Sequence, residues 1–311
     1  MILTLITHPL QICLIKTKLN QFGNPSQDAN NLKHLCVEAQ KSFPEFFYKI
    51  REEKNRLKSL FFSSPLMREQ YKTFKNLLII DTTFGTNRFR LPLMFGVIVN
   101  NMGRSIVAFW ALTSSETQEE FEWVFKSFKE CFLDHPENIL TDECASFKAA
   151  IKSNFGNTNH YICGWHKSNS IRRALSSKGC YQRKKRKNSF LQNFYLLEIK
   201  DSTEQSKYET LLTDIENLPY CLSQTDFESV IGQISQDEFL SKISYLSNLE
   251  ENKEEWCAAY RKDSFTLRTR TSQRVERMNW SLKSKISSQI TLNELFLRIL
   301  TLHNEITNHD I

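Results

Sequence analysis

From Leu77 to Cys163, short apolar runs and helix-period segments take turns, and this alternation limits the fold more than anything else in the chain. Leu77-Leu78-Ile79-Ile80 is a continuous apolar tetrad that ends at Asp81, the pattern of a buried strand. Leu91–Val99 and Ser105–Leu112 are further strand candidates. Asn100-Asn101-Met102-Gly103 supplies turn chemistry between them, so the two read as a hairpin. Thr117 and Glu120 make a T-x-x-E capping box. Phe121, Val124, Phe125, Phe128 and Phe132 then recur at helical spacing and make one apolar face. Asn138–Thr141 is a brief strand ending at Asp142, and Ala145–Phe155 reads as a helix with Phe147, Ala150 and Ile151 inward. His160–Cys163 predicts another strand and Trp165–Leu175 another helix.

The flanks have a different texture. Residues 1–40 carry little signal, and Phe43–Tyr71 reads helical, with Phe46, Phe47, Ile50, Leu57, Leu60 and Phe61 inward. Five consecutive basic residues, Arg183-Lys184-Lys185-Arg186-Lys187, precede a polar, strand-poor stretch of helical rhythm from Phe190 to Tyr260. Val275, Met278, Leu282 and Ile286 then form an amphipathic stripe. Thr291 and Glu294 make a second capping box, before Leu295, Phe296, Ile299 and Leu300. The expected fold class is α/β, a mixed sheet in ribonuclease-H-like order with an all-helical insertion and a helical N-terminal leader. The expected division is 1–75 (helical N-terminal region), 76–180 (first part of the core), 181–265 (helical insertion) and 266–311 (closing helices).

Composition excludes several classes. With 40% hydrophobic and 24% charged residues, the chain is neither disordered nor fibrous. Eight cysteines scattered over 311 residues without a CxxC pair predict reduced thiols, not a secreted disulfide scaffold. Met1–Leu14 is interrupted by His8 and Pro9 and lacks a basic region and a cleavage site, so no signal peptide is expected. No run approaches the roughly 18–20 apolar residues of a membrane span. The expectation is a soluble intracellular protein, and a net charge of +6 permits a polyanionic partner without requiring one.

Asp81 and Asp142 each end a predicted strand, and strand ends are where α/β sheets collect ligands. Two carboxylates there can share divalent metal, since Mg²⁺ takes hard oxygen ligands. Each also has a plain structural reading. Asp81 can cap a turn through Thr82 and Thr83, and Asp142 can be the N-cap of the next helix.

Five segments in order, LLIIDTTFGTNRFRLP from Leu77, then FEWVF, ILTDECASFKAAI, HYICGWH and SQRVERMNWSLK, resemble the transposase domain of Mutator-like elements (MULE). That domain also occurs in the plant far-red-impaired-response proteins, transcription regulators derived from such transposases. The resemblance spans roughly Phe46 to Leu300. It implies a ribonuclease-H-like DDE transposase with a helical insertion before the third acid. Asp81 matches the first acid, Asp142 the second and Glu276 the third. The implied cofactor is a pair of Mg²⁺ (or Mn²⁺) ions, which would support strand cleavage followed by attack of the freed 3′-OH on target DNA. The implied partner is DNA, with a homo-oligomer on DNA ends as one arrangement, and the implied location is the nucleus. Glu276, Asn279 and Lys283 share a stripe beside the apolar one, so a carboxylate on a packed helix can face such a site. An exposed Glu paired with nearby Arg would give the same text.

Cys163 and His166 stand three apart, a spacing that can chelate zinc. No partner pair with finger spacing accompanies them, so zinc is not expected. The family has a C-x-x-H signature near the active centre, and a buried Cys with a core His is the alternative. Arg183–Lys187 reads as a nuclear localisation signal, a phosphate-binding patch or a solvated loop. Arg268, Arg270, Arg274 and Arg277 suit phosphate contact beside Glu276. Trp165 and Trp280 can stack on extruded bases, though buried core rings are the favoured reading. Relatives commonly carry an N-terminal zinc-type module and a C-terminal SWIM zinc finger, and these 311 residues hold no Cys/His cluster of either kind. A domesticated regulator without catalysis and a truncated inactive copy are therefore the competing expectations.

Overall fold

A computed structural model describes residues 28–54, 56–178, 180, 202–261 and 280–308. The strands are β1 (Phe47–Glu53), β2 (Arg56–Ser63), β3 (Leu77–Thr83), β4 (Leu93–Val99), β5 (Ser105–Leu112), β6 (Asn138–Thr141) and β7 (Asn159–Ile162). The longer helices are α1 (Asp28–Ser42), α2 (Pro65–Thr73), α3 (Gln118–Cys131), α4 (Ala145–Asn154), α5 (Gly164–Ser177), α6 (Ser202–Asn217), α7 (Gln224–Gln236) and α8 (Leu292–Asn308). The described residues fall into two compact units, one comprising those up to His160 and from Trp280 onward, the other Tyr161–Arg261.

The first unit is built on one mixed sheet in the order β1-β2-β5-β4-β3-β6-β7. Five of its strands follow the sequence expectation, and the α/β class holds. Neighbours β3–β4 and β4–β5 are antiparallel, while β3–β6 is parallel. Strand β4 is buried along its whole length, because helices cover both faces. On one face Leu78, Ile80, Met94, Ile98 and Phe109 pack against α3 and α4. There the Phe121 and Phe147 rings stack at 4.1 Å and Phe128 meets Phe109 edge-on at 5.5 Å. On the other face a row runs across the strands from Phe62 through Trp110 to Phe95. Helix α8 covers that row, with Phe296 lying 4.9 Å from Phe62. Gly96 is required where β4 crosses Phe109, since an added Cβ would stand 2.2 Å from the Phe109 ring and 2.9 Å from Leu78.

The region expected to be helical from Phe43 to Tyr71 is different. Only Pro65–Thr73 is helix, and residues 47–63 form the β1–β2 hairpin. Strand β1 lies at the sheet edge and is nowhere fully buried, so it shows no two-residue alternation. Its apolar residues happen to fall at helical intervals. Strand pairing overrides that local signal, for Leu60, Phe61 and Phe62 bond across to Leu112, Ala111 and Trp110 of β5.

The first capping box is half formed. Thr117 caps α3 by accepting from the Glu120 N–H at 3.5 Å. Glu120 does not reach back. Its carboxylate is buried and accepts from Ser59 Oγ (2.6 Å) and Ser114 Oγ (2.9 Å), and it pairs with Arg51. This polar cluster joins the hairpin to α3. The second box is complete: Thr291 N–H donates to Glu294 Oε2 (3.0 Å), and Glu294 N–H to Thr291 Oγ1 (3.2 Å). A distant residue adds to this cap. Asp28, itself buried in the first turn of α1, accepts from the Leu292 and Asn293 N–H groups at 2.9 and 3.3 Å.

The second unit is helical. Ile171, Leu175, Leu212, Ile215, Phe227 and Trp256 form its core, and Arg172 clasps Glu216 through two bonds of 3.0 and 2.8 Å. Lys167 is buried there with its ammonium 4.8 Å from the Tyr245 ring and 5.0 Å from that of Trp256.

Candidate metal-binding edge

Strand β5 runs antiparallel to β4, and β4 antiparallel to β3, so β3, β5 and the parallel β6 all point the same way. Their C-terminal ends gather along one edge of the sheet, and both aspartates lie on that edge. The register makes the placement specific. Leu77 pairs with Asn138, an offset of 138 − 77 = 61, and Leu78 and Ile79 pair with Ile139 and Leu140 at the same offset. The aspartates are separated by 142 − 81 = 61 residues. The described pairing ends at Ile79–Leu140; carried two residues further, the same offset would bring Asp142, the first residue beyond β6, level with Asp81 on the adjacent strand. Adjacent strands are about 4.8 Å apart. Leu78 and Ile80 face α3, so alternation turns Asp81 to the opposite face, beside Phe95 in the antiparallel register. In-register residues of parallel neighbours share a face, so a continued register would put Asp142 on the same side.

The structural readings of the two aspartates divide. Asp81 does accept from the next residue, with Thr82 N–H at 2.9 Å from Oδ1. Asp142 is not the N-cap of α4, since Cys144 holds that position without a side-chain bond. Thr141, the last residue of β6, donates its hydroxyl to the Asp142 carbonyl at 2.8 Å and meets His160 Nε2 at 2.9 Å. Burial, helped by the nearby Lys148 ammonium, lowers the His160 pKa from 6.5 to about 4, so the ring is neutral at pH 7.

A carboxylate that the sequence did not single out joins this edge. Glu116, in the loop after β5, accepts from the Thr82 hydroxyl. Thr82 points to the α3 face, so Glu116 is held on the side away from Asp81. Only its lodging between Ser115 and Thr117 was legible, and that reads as ordinary loop. Among the described residues no group of three or more His, Cys, Asp and Glu is arranged to hold a metal. Glu276, assigned by resemblance as the third acid, lies outside the described residues, as do Asn279, Arg268, Arg270, Arg274, Arg277 and Arg183–Lys187. Near them, Leu282 is buried and Lys283 exposed, as the amphipathic stripe predicts.

The D-T-T-x-x-T-N segment divides its labour. Thr86 and Asn87 are buried and act on the loop itself. The Asn87 side chain donates to Leu91 O (2.8 Å) and accepts from Leu91 N–H (3.1 Å), fixing the turn that leads into β4.

In the helical unit, Cys163 is buried immediately before α5, and His166 is half-buried in its first turn with its ring 4.9 Å from that of Trp165. Trp165 and Trp280 are 40% and 75% exposed, so the expectation that these rings are core is overturned. The cysteines among the described residues are all unbridged.

Residues 77–170 match the MULE transposase domain. The matched segment starts at the first residue of β3, runs through α3, α4 and β7 into α5, and holds both aspartates and the Cys163/His166 pair. Over a longer span the chain is similar to Protein FAR-RED IMPAIRED RESPONSE 1 of Arabidopsis thaliana, 27% identical over 273 residues, covering 87% of this chain and 30% of that protein. It is similar also to Protein FAR1-RELATED SEQUENCE 5 (24% over 255 residues; 81% and 29%) and Protein FAR1-RELATED SEQUENCE 6 (22% over 306 residues; 94% and 39%) of the same plant. The chain spans less than two fifths of the length of each of these relatives. No helix among the described residues is long and apolar enough to cross a membrane.

Proposed function

We propose that this chain is a nuclear, DNA-associated MULE-type protein whose sheet is a ribonuclease-H-like catalytic core of the DDE class. The observation that carries the reading is the shared offset of 61: the β3–β6 pairing and the separation of Asp81 from Asp142 have the same value, from which we infer that the two carboxylates stand side by side at the strand-end edge. Two carboxylates so close repel each other, and a divalent cation between them removes that repulsion. Asp81 and Asp142, with Glu276 as third ligand, are the hard-oxygen donor set that suits two Mg²⁺ or Mn²⁺ ions. Such ions, when bound, act as Lewis acids on a scissile phosphodiester. The chain itself supplies position. Strand register fixes the spacing, the Thr82 N–H orients one Asp81 oxygen, and the Thr141 hydroxyl holds the backbone at Asp142. The test is a nicking and strand-transfer assay on DNA with the purified chain in Mg²⁺. Asp142→Asn is expected to lower the rate at least a hundredfold; equal rates in the two proteins refute the assignment.

A second reading is favoured by the relatives' names. In it the chain is a non-catalytic, DNA-associated regulator of the far-red-impaired-response type that keeps the fold alone. DNA occupancy unchanged by Asp81→Ala, together with no Mg²⁺-dependent nicking by the parent chain, would decide for it.

A further inference from the structure

The loop after β3 inverts the usual rule for surface segments. Two of its polar residues are inside and its two rings outside: Thr86 and Asn87 are buried, while Phe84 and Phe89 are 52% and 47% exposed. This is not a loop that failed to pack. Besides the Asn87–Leu91 clamp, Arg90 N–H donates to Asn87 O at 3.1 Å, and Arg88 N–H donates to Ile290 O at 3.1 Å. The Arg88 guanidinium lies 3.6 Å from the Asp28 carboxylate and stacks 4.8 Å from the centre of the Phe89 ring. The two rings are thus held out in water by a braced backbone.

Arg90 is the second anomaly. It is exposed and sits in the left-handed region with φ +57, where Gly or Asn would be relaxed. Its side chain makes no ion pair among the described residues. A cationic side chain kept at a strained position, beside Phe89 in the same loop that carries Phe84 and that follows the strand of Asp81, answers to a ligand with flat apolar faces and negative charge. Unpaired nucleic-acid bases with their phosphates have that chemistry. Duplex DNA offers the phosphates but hides the base faces in its stack. Resting on the DNA role proposed above, we propose that Phe84, Phe89 and Arg90 form a stacking platform that holds unpaired bases of a DNA strand beside Asp81.

The test uses the full chain, a fluorescein-labelled 20-nucleotide single strand and a blunt duplex of the same length, at one fixed salt concentration. Phe84→Leu/Phe89→Leu is expected to weaken single-strand binding at least tenfold and to change duplex binding less than twofold. Phe84→Trp/Phe89→Trp is expected to retain single-strand affinity, with indole emission quenched on binding. Arg90→Gly is expected to weaken binding of both probes and flatten the salt dependence, while its thermal midpoint stays equal or rises as backbone strain is relieved. Single-strand affinity untouched in the leucine pair overturns the platform, as does an equal loss on both probes. A leucine pair that alters only self-association also overturns it, in favour of a protein contact. If the parent chain binds duplex but not single strands, the platform alone falls; if it binds neither, the DNA role falls with it.

Discussion

Asp28 offers the sharpest check on how the first unit is held together. Its carboxylate stands at the N-termini of two helices at once, in the first turn of α1 and under the first two N–H groups of α8, 264 positions away. Replacing it with Ala removes two charge-assisted acceptors and leaves the Leu292 and Asn293 N–H groups buried without them. It also strips the Arg88 guanidinium of a carboxylate 3.6 Å away. A bond to a charged group contributes about 1.5–3 kcal/mol, and losing a helix cap typically costs about 1 kcal/mol. The bonds share one carboxylate and are not additive, so Asp28→Ala is expected to cost about 3 kcal/mol. Asp28→Asn keeps one carbonyl acceptor and loses the charge, and should cost about half as much. Urea unfolding followed through tryptophan fluorescence measures both, with Trp110 reporting from the buried row that α8 covers. The reasoning fails if Asp28→Ala lies within about 0.5 kcal/mol of the parent, or if Asn is as damaging as Ala.

Glu120→Ala leaves Arg51, Ser59 and Ser114 around a vacated buried site and is expected to cost about 3–5 kcal/mol. Glu120→Gln should cost clearly less, and thermal denaturation of the two variants ranks them. His160 gives a pH signature. Unfolded, it titrates near 6.5, and folded near 4, so between those values the unfolded chain binds the extra proton. Its contribution is fully present above pH 6.5 and is lost as pH falls toward 4, amounting to about 2 kcal/mol between pH 7 and pH 5. His160→Gln should lose less stability over that interval than the parent by this amount, read from urea midpoints at the two pH values; identical losses would show that His160 is not the titrating group.

The residues that announced themselves in the text were those whose structure is set by near neighbours. The apolar tetrad from Leu77 became β3 and the brief run Asn138–Thr141 became β6, and the Thr291–Glu294 box capped α8 with both of its bonds, because capping is settled within one helical turn. The resemblance of the motif series was legible for the same reason. Register and remote partnership were not legible. The hairpin at 47–63 looked helical because an edge strand lacks alternation, and only β5 could recruit it. Glu120 abandoned its own helix for Ser59 and Arg51, and Asp28 capped a helix at the far end of the chain. The two aspartates could be named from sequence, but nothing local makes residues 61 apart stand level. The parallel pairing of β3 with β6 carries that same offset, through backbone bonds whose partners no linear pattern encodes.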